Sequence, residues 1–285
     1  MGILFAVTAL FAWGLGDFLI QRSARKFGDW IALFYIAIFG TVVLLPFVYS
    51  EIKPALEAHG LLLAIIAGIN FVASLLDFEG LKEGKMAVVA PIFALEIPLA
   101  SILAFSFLHE TISLLQIVLI VATFVGIFLI STKQLHHLKR LHLEKGVWYA
   151  LFAALGMGTC SFLFGAGARA TSPLFVVWFS WAVLTAGTLL YLLLNGEMHQ
   201  VVKDFRHHKR LIINIGFFDT LAWVSYAYSC RYVPIAVATS ISEGYILLSS
   251  ALGVVVNRER LKLHQYIGFF LAIIALIALA LITNS

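Results

Sequence analysis

Charged residues are scarce in this sequence, and their scarcity excludes an ordinary soluble domain. Asp, Glu, Lys and Arg make up 12% of the 285 residues, whereas hydrophobic residues make up 62%. A soluble domain usually has about 25% charged residues. The mean hydropathy is +1.00, a value typical of chains that are largely surrounded by lipid. We therefore predict an integral membrane protein.

Cysteine and catalytic motifs are also rare or absent. Cys160 and Cys230 lie in apolar runs without ligand or redox spacing, so we expect them to pack as small hydrophobic side chains. The sequence has no HExxH, no Gly-x-Ser-x-Gly and no phosphate-binding glycine loop. The histidine pairs at 136–137 and 207–208 lack the acidic or thiolate partners of a metal site. We expect no cofactor, no metal and no enzyme activity.

Long apolar runs dominate what is present. As a helix, a segment needs about 20 residues to cross the hydrocarbon core, because its backbone groups must be hydrogen-bonded internally. No Lys or Arg precedes the first run, which is longer than the core of a secretory signal, so we expect it to stay as a helix. We predict an all-α membrane protein with ten transmembrane helices, near residues 2–20, 30–50, 60–80, 86–108, 113–131, 146–168, 173–194, 210–231, 235–256 and 263–282.

Lys and Arg are distributed unequally between the two sides of these spans. The loops after the odd-numbered spans hold 16 of the 19, and the other side has Lys53, Arg169 and Arg231. The positive-inside rule then predicts cytoplasmic basic loops and both termini outside. The net charge of +4 thus reflects topology, with some affinity for anionic lipid, and not binding of nucleic acid. Basic and apolar residues alternate at helical spacing in 132–146 and 197–210, which predicts short interfacial helices there.

The two halves of the sequence repeat each other. An offset of 149 residues aligns "AVVA" with "AVAT", Glu110 with Glu259 and Gln116 with Gln265. The same offset superposes two polar trios whose i, i+4, i+7 spacing places each on one helical face. These trios are Asn70, Ser74 and Asp77 in span 3 and Asp219, Trp223 and Tyr226 in span 8.

The number of spans in each repeat determines how the two repeats are oriented relative to each other in the membrane. We divide the chain into repeats at 1–132 and 146–285, joined by a basic connection at 133–145. Because each repeat has five spans, the second enters the membrane in the opposite sense to the first. Two inverted five-helix repeats are a common architecture of secondary transporters, with a site between the halves and alternating access.

Several motifs resemble a known family. They are Trp13 and Gly14 within "FAWGLGDFLIQRSARK", Pro98 late in span 4, and Glu110 and Glu259 with the glutamines that follow them. Over nearly the whole chain, both halves resemble the EamA-type repeats of the drug/metabolite transporter superfamily. The resemblance implies a ten-helix transporter of small metabolites, often an exporter of amino acids or related solutes. It also implies a cavity lined mainly by spans 3, 4, 8 and 9 and by parts of spans 1 and 6.

The chain departs from the family pattern in two respects. Leu247 stands at the position equivalent to Pro98, so the sequence predicts a kink in span 4 and leaves one in span 9 open. The resemblance implies cytoplasmic termini, whereas the charge count predicts the reverse. We follow the charge count, because an inverted-repeat fold can be inserted either way up.

Carboxyl groups within the spans are the first functional candidates. A charged side chain at a helix centre costs about 2.5–3.5 kcal/mol on insertion scales, so each must face water, have a partner or bind a proton. We predict proton coupling by Glu96, Asp219 and Glu243. Structural alternatives stay open, since Glu96 could bond a backbone carbonyl freed by Pro98, and Asp17 could pair at the membrane surface.

Aromatic and polar residues near these carboxyl groups complete the predicted site. One charge between aromatic walls is typical of a solute cavity, although most aromatic residues in such a chain must pack or face lipid. The predicted substrate-binding residues are Trp13, Asn70, Ser74, Glu96, Asp219, Trp223, Tyr226, Glu243 and Tyr245.

Together, these features predict a secondary transporter of the cell membrane. We expect it to export a small metabolite such as an amino acid, with proton coupling, and to act as a monomer or homodimer. A multidrug or nucleotide-sugar-like transporter of the same fold is the alternative. A channel is disfavoured because it would need rings of like polar groups from a symmetric oligomer.

Overall fold

The structure is a computed structural model that describes residues 1–83, 92–132, 145–248 and 261–284. Within these ranges all regular elements are helical and no strand occurs, which confirms the predicted all-α class. A 3-10 turn, Tyr49–Glu51, joins the second and third helices. The α-helices are α1 (Gly2–Phe27), α2 (Asp29–Val48), α3 (Ile52–Glu83), α4 (Glu96–Leu108), α5 (Leu114–Ser131), α6 (Lys145–Ala170), α7 (Pro173–Leu194), α8 (Met198–Tyr232), α9 (Ile235–Ser242) and α10 (Leu263–Asn284).

Six helical stretches in the described ranges are long and apolar enough to cross a membrane. One of them, Asp29–Gly80, has 52 residues and includes α2 and most of α3, whereas one crossing takes about 20 residues. Shorter apolar helical stretches are Gly2–Gly16, Glu96–Leu108 and Ile235–Leu248. The protein is therefore a multi-pass membrane protein, and the number of ten crossings stays a prediction.

Helix packing follows the internal repeat. The most extensive contacts join α1 with α8, α3 with α6, α5 with α10 and α2 with α7, and α4 also contacts α9. Each helix of the first half, α1 to α5, has its counterpart in the same position of the second half, α6 to α10. When every helix is replaced by its counterpart, the same set of contacting pairs results: α1 with α8 becomes α6 with α3, for example. Each half thus packs mainly against the other half, as a repeat with a shared interior requires.

The glutamines of the repeated motif stabilise the starts of α5 and α10. The Ser113 backbone N–H donates to Gln116 Oε1 at 2.9 Å, and the Lys262 N–H donates to Gln265 Oε1 at 3.0 Å. Ser113 Oγ in turn accepts the Gln116 N–H, which completes a capping box. The first N–H groups of a helix have no partner within it, so these side chains satisfy donors that the helix leaves open.

The same glutamines connect α5 with α10 in an antiparallel arrangement. Gln116 Nε2, at the start of α5, donates to Thr283 Oγ1 at the end of α10. Gln265 Nε2, at the start of α10, donates to the Ile130 carbonyl at the end of α5, at 2.9 Å. The helices approach closely at Gly268, where an added Cβ would lie 2.6 Å from a backbone oxygen of α5. Small residues permit such contact between membrane helices.

Two matching elbows interrupt α3 and α8. His59 has φ −133° and ψ 20°, and His208, 149 residues later, has φ −129° and ψ 28°. We call residues 52–58 the first arm and residues 198–207 the second arm. The helix predicted between 197 and 210 is therefore the second arm and elbow of α8, while the one at 132–146 lies almost entirely outside the described residues.

Candidate functional site

Two helix breaks lie at equivalent positions of the repeat. Residues 94–95 form a turn before α4, and residues 243–244 form a turn after α9. The Leu95 N–H donates to the Ile92 carbonyl at 3.0 Å, and the equivalent Gly244 N–H donates to the Ile241 carbonyl at 3.1 Å. Such bonds to the third preceding residue tighten the backbone relative to an α-helix. Each break thus interrupts the α-helical hydrogen bonding beside a buried carboxyl group.

The helix is interrupted both in span 4, where a kink was predicted, and in span 9, where the sequence left one open. Span 4 was expected to run through Glu96, but α4 begins there, with Pro98 as its third residue. Proline costs little in a first turn, because its missing N–H would have no partner within the helix. Span 9 breaks although Leu247 replaces that proline, so proline does not cause the break. Pro91 and Glu259 lie outside the described residues.

Glu96 is buried at the start of α4, against α6. Its relative exposure is 9%, and a Cβ added to Gly158 of α6 would lie 3.1 Å from both its Cα and its carbonyl oxygen. Its carboxyl group lies within electrostatic range of Cys160, also on α6. The positive end of the helix dipole at the start of α4 favours a negative group at this position.

Glu243 occupies the second break, next to a buried hydroxyl network. Its backbone N–H donates to the Thr239 carbonyl at 2.9 Å, and its side chain is within electrostatic range of Tyr226. The Tyr226 hydroxyl lies 2.7 Å from Thr239 Oγ1 and donates to the Ser161 carbonyl on α6 at 2.9 Å. These bonds link the broken helix to α8 and α6, so movement at the break affects both.

The predicted aromatic residues form one cluster at this network. Trp13 of α1 stands edge-on to Trp223 of α8, with ring centroids 5.2 Å apart. Its centroid lies 5.8 Å from that of Tyr226 and 6.2 Å from that of Tyr245, the residue after the second break. Four of the nine predicted site residues therefore meet in contacts between α1, α8 and the end of the broken helix.

Two further aromatic residues extend the cluster. The Phe164 ring lies 4.6 Å from Trp223, and the Trp181 ring lies 5.9 Å from it. Both are almost fully buried, on α6 and α7. Sequence reasoning missed them because aromatic residues make up 14% of the chain and nothing in their spacing sets these two apart.

The polar trios occupy separate helices. Asp219 is 8% exposed and lies one helical turn before Trp223 on α8. Asn70 and Ser74 are equally well buried on α3, and the Asn70 Nδ2 has no hydrogen-bond partner within the described residues. In those ranges α3 packs on α6 and α7, with no extensive contact with α8. The structure therefore does not bring Asn70 or Ser74 into the aromatic cluster.

A family model decides the classification. The model of the EamA-like transporter family matches residues 1–132 and 144–281. The chain belongs to the EamA-like transporter family. Membership confirms the resemblance to the drug/metabolite transporter superfamily, whose members are transporters and not enzymes.

A solved structure shares the fold of this EamA-like transporter. A crystal structure described only as that of a protein superposes with a TM-score of 0.75 and covers 100% of this chain and 99% of that one. At 14% sequence identity, the likeness shows the fold alone. No curated protein sequence matches the chain.

An ion pair at one end of this EamA-like transporter joins its two halves. Arg169 Nη2 lies 2.6 Å from Glu110 Oε1, the family-motif carboxylate. The Arg169 guanidinium also donates to the carbonyls of Cys230, at 2.7 Å, and Val233, at 3.1 Å. Glu110 Oε1 accepts the Ile235 N–H at 2.9 Å. The network fixes the junction of α4, α6, α8 and α9.

This pair was not predicted as a pair. The charge count treated Arg169 only as a loop charge, and Glu110 served only as a family motif. Near the start of each half an offset of 144 residues aligns Gly2 with Gly146 and Gly14 with Gly158. The same offset aligns Arg25 with Arg169, which is a signal that could have marked Arg169. The side chain of Asp17, another candidate, lies outside the described residues.

Proposed function

We propose that the protein is a proton-coupled secondary transporter that exports a small metabolite such as an amino acid. The observation that carries this proposal is the pair of equivalent helix breaks, each beside a buried carboxyl group. Broken helices near the centre of a membrane are typical of transporter sites, because their ends offer backbone groups to solutes and ions. Residues 1–132 and 146–285 act as inverted repeats that rock about a shared site, with the basic segment 133–145 between them.

The proposed site has two parts. The first combines Glu243 and Asp219 with the aromatic cluster, where an amine would be held by charge and by ring faces. The second combines Glu96 with Asn70 and Ser74, on the side of the bundle formed by α3, α4 and α6. α6 contacts both α3 and α8, so its displacement would move the two parts relative to each other.

Multidrug transport is the second candidate function, and the aromatic cluster favours it. At least six rings surround the buried polar groups, and flat ring faces accept bulky cations of varied shape. An amino-acid transporter would select its solutes by hydrogen bonds to their carboxylate groups. A multidrug transporter would accept solutes that lack a carboxylate.

A solute-exchange assay tests the function. We expect purified protein in vesicles preloaded with an unlabelled solute to accumulate the labelled form transiently, because alternating access couples entry to exit. The panel contains amino acids, nucleosides, nucleotide sugars and cationic drugs. A Trp13→Ala variant should lower exchange, whereas Trp148→Ala, 58% exposed and outside the cluster, should not. Flux that rises linearly with solute concentration, without exchange, would contradict a transporter and indicate a channel.

Orientation is a separate proposal. We place both termini outside the cytoplasm of a cell membrane, because 16 of 19 Lys and Arg lie on the side of the basic loops. A cysteine introduced at Ser285, in a variant with Cys160 and Cys230 replaced by alanine, should react with an impermeant maleimide added to intact cells. Reaction only after permeabilisation would show that the termini lie inside.

A further inference from the structure

A basic cleft lies where the end of α1 meets the elbow of α8. Its volume is about 390 Å³, and seven of its eight lining residues are basic, with no acidic residue among the eight. Five of them are permanently charged: Arg22 and Lys26 from α1, and Arg206, Lys209 and Arg210 from α8. A cleft lined by one sign of charge attracts ions of the opposite sign, so these cations favour an anionic ligand.

The fold itself does not require these charges. The first arm makes the same elbow at His59, yet its residues equivalent to the basic ones at 206, 207, 209 and 210 are Glu57, Ala58, Gly60 and Leu61. The residues equivalent to Arg22 and Lys26, at the end of α6, are Ala166 and Ala170. One half of the molecule thus builds the same elbow without a basic cleft, so the local backbone structure does not require these charges.

The second arm carries exposed apolar side chains beside the cleft. Tyr35 donates its hydroxyl hydrogen to the Val201 carbonyl at 2.6 Å and holds the arm against α2. On its outer surface, Val202 and Phe205 are 48% and 42% exposed, next to Arg206. Apolar and basic residues on one exposed helix are typical of interfacial helices, whose apolar side chains enter the acyl boundary while the basic ones meet phosphates.

We propose that this cleft binds the phosphate of an anionic phospholipid, with the headgroup bridging α1 and the elbow of α8. Phosphate is the shared chemistry of a lipid headgroup and a free phosphate ion, and the exposed Val202 and Phe205 favour the lipid. Basic pockets between membrane helices bind such headgroups. The lipid would connect the first repeat to the second at the surface, away from the solute site, so the proposal does not depend on what is transported.

Native mass spectrometry of the full chain in detergent tests the site. We expect retained phosphatidylglycerol and no retained phosphatidylcholine. A double Arg22→Gln/Arg210→Gln variant should lower the affinity about 25-fold, since each charge near a lipid surface contributes about fivefold. Both side chains are exposed, so the variant should unfold at the same temperature as the unmodified protein when lipid is absent.

Matched controls separate this site from general surface attraction. Lys203 is exposed on the same arm but does not line the cleft, and Lys53 lies on the first arm. Lys203→Gln and Lys53→Gln should leave the affinity within twofold of that of the unmodified protein, about the error of such a measurement. Equal loss in Lys203→Gln, or unchanged binding in the double variant, would overturn the proposal. Displacement of the lipid by millimolar inorganic phosphate would identify a free-phosphate site and would also overturn it.

Discussion

Arg169→Gln is expected to destabilise the protein by about 3 kcal/mol, the lower end of the range for a broken buried ion pair. The change leaves the Glu110 carboxylate, whose side chain is 8% exposed, without its cation. It also removes donors to the carbonyls at the end of α8. We choose the lower end because the Arg169 side chain is 33% exposed. Water can therefore compensate part of the interaction energy that the Glu110 carboxylate loses. Unfolding in detergent, followed by tryptophan fluorescence, measures the effect.

Three variants distinguish the ion pair from a general loss of charge. Arg231→Gln removes an exposed arginine from the same end of α8 and should change stability little. Arg169→Lys keeps the charge but loses the planar fork of donors, so an intermediate value is expected. Adding Glu110→Gln to Arg169→Gln should recover part of the loss, because no buried charge then lacks a partner. A double variant no more stable than Arg169→Gln alone would argue against the pair.

Glu243→Gln is expected to abolish solute accumulation driven by a pH gradient while solute exchange continues. An amide is nearly isosteric with a carboxyl group but cannot release a proton. Because Asp219 and the aromatic cluster still hold the solute, binding and rocking persist without coupling. We expect accumulation to fall about tenfold or more, within the range usual for coupling between two sites. Vesicles with an imposed pH gradient measure accumulation, and vesicles at equal pH measure exchange.

The control for this variant is a carboxylate outside the site. Glu57 lies on the first arm with a side chain 68% exposed, 4.0 Å from Lys53, and Glu57→Gln should transport normally. Accumulation equal to that of the unmodified protein in Glu243→Gln would exclude Glu243 from coupling. Loss of exchange together with accumulation would assign it to solute binding instead. Glu96→Gln and Asp219→Asn, measured in the same way, rank the other two candidates.

The repeat explains why some structural details could have been predicted from the sequence. The 149-residue offset relates His59 to His208 and the turn at 94–95 to the turn at 243–244. Local backbone geometry follows local sequence and packing, and both are duplicated here. Pro98 predicted a kink in span 4 and left one in span 9 open, whereas both copies break. The break in span 9 forms without a proline at the equivalent position, Leu247, so a rule based on one residue gave an incomplete answer.

The sequence by itself determined the membrane class, the all-α architecture and the family. The membrane class and the helices depend on hydropathy over about 20 consecutive residues, and the family depends on motifs of residues near one another in the sequence. The sequence also predicted Trp13, Trp223, Tyr226 and Tyr245 as site residues, of which the repeated helical face marked Trp223 and Tyr226 and a family motif marked Trp13.

Only the tertiary structure decided which of these residues meet and which do not. Phe164 and Trp181 join the aromatic cluster, Asn70 and Ser74 stay on another helix, and Arg169 reaches Glu110 across the two halves. The basic cleft likewise combines residues from α1 and α8 that are more than 170 positions apart in the chain. The physical reason is that hydropathy and periodicity are properties of single segments, whereas a contact depends on how two segments cross.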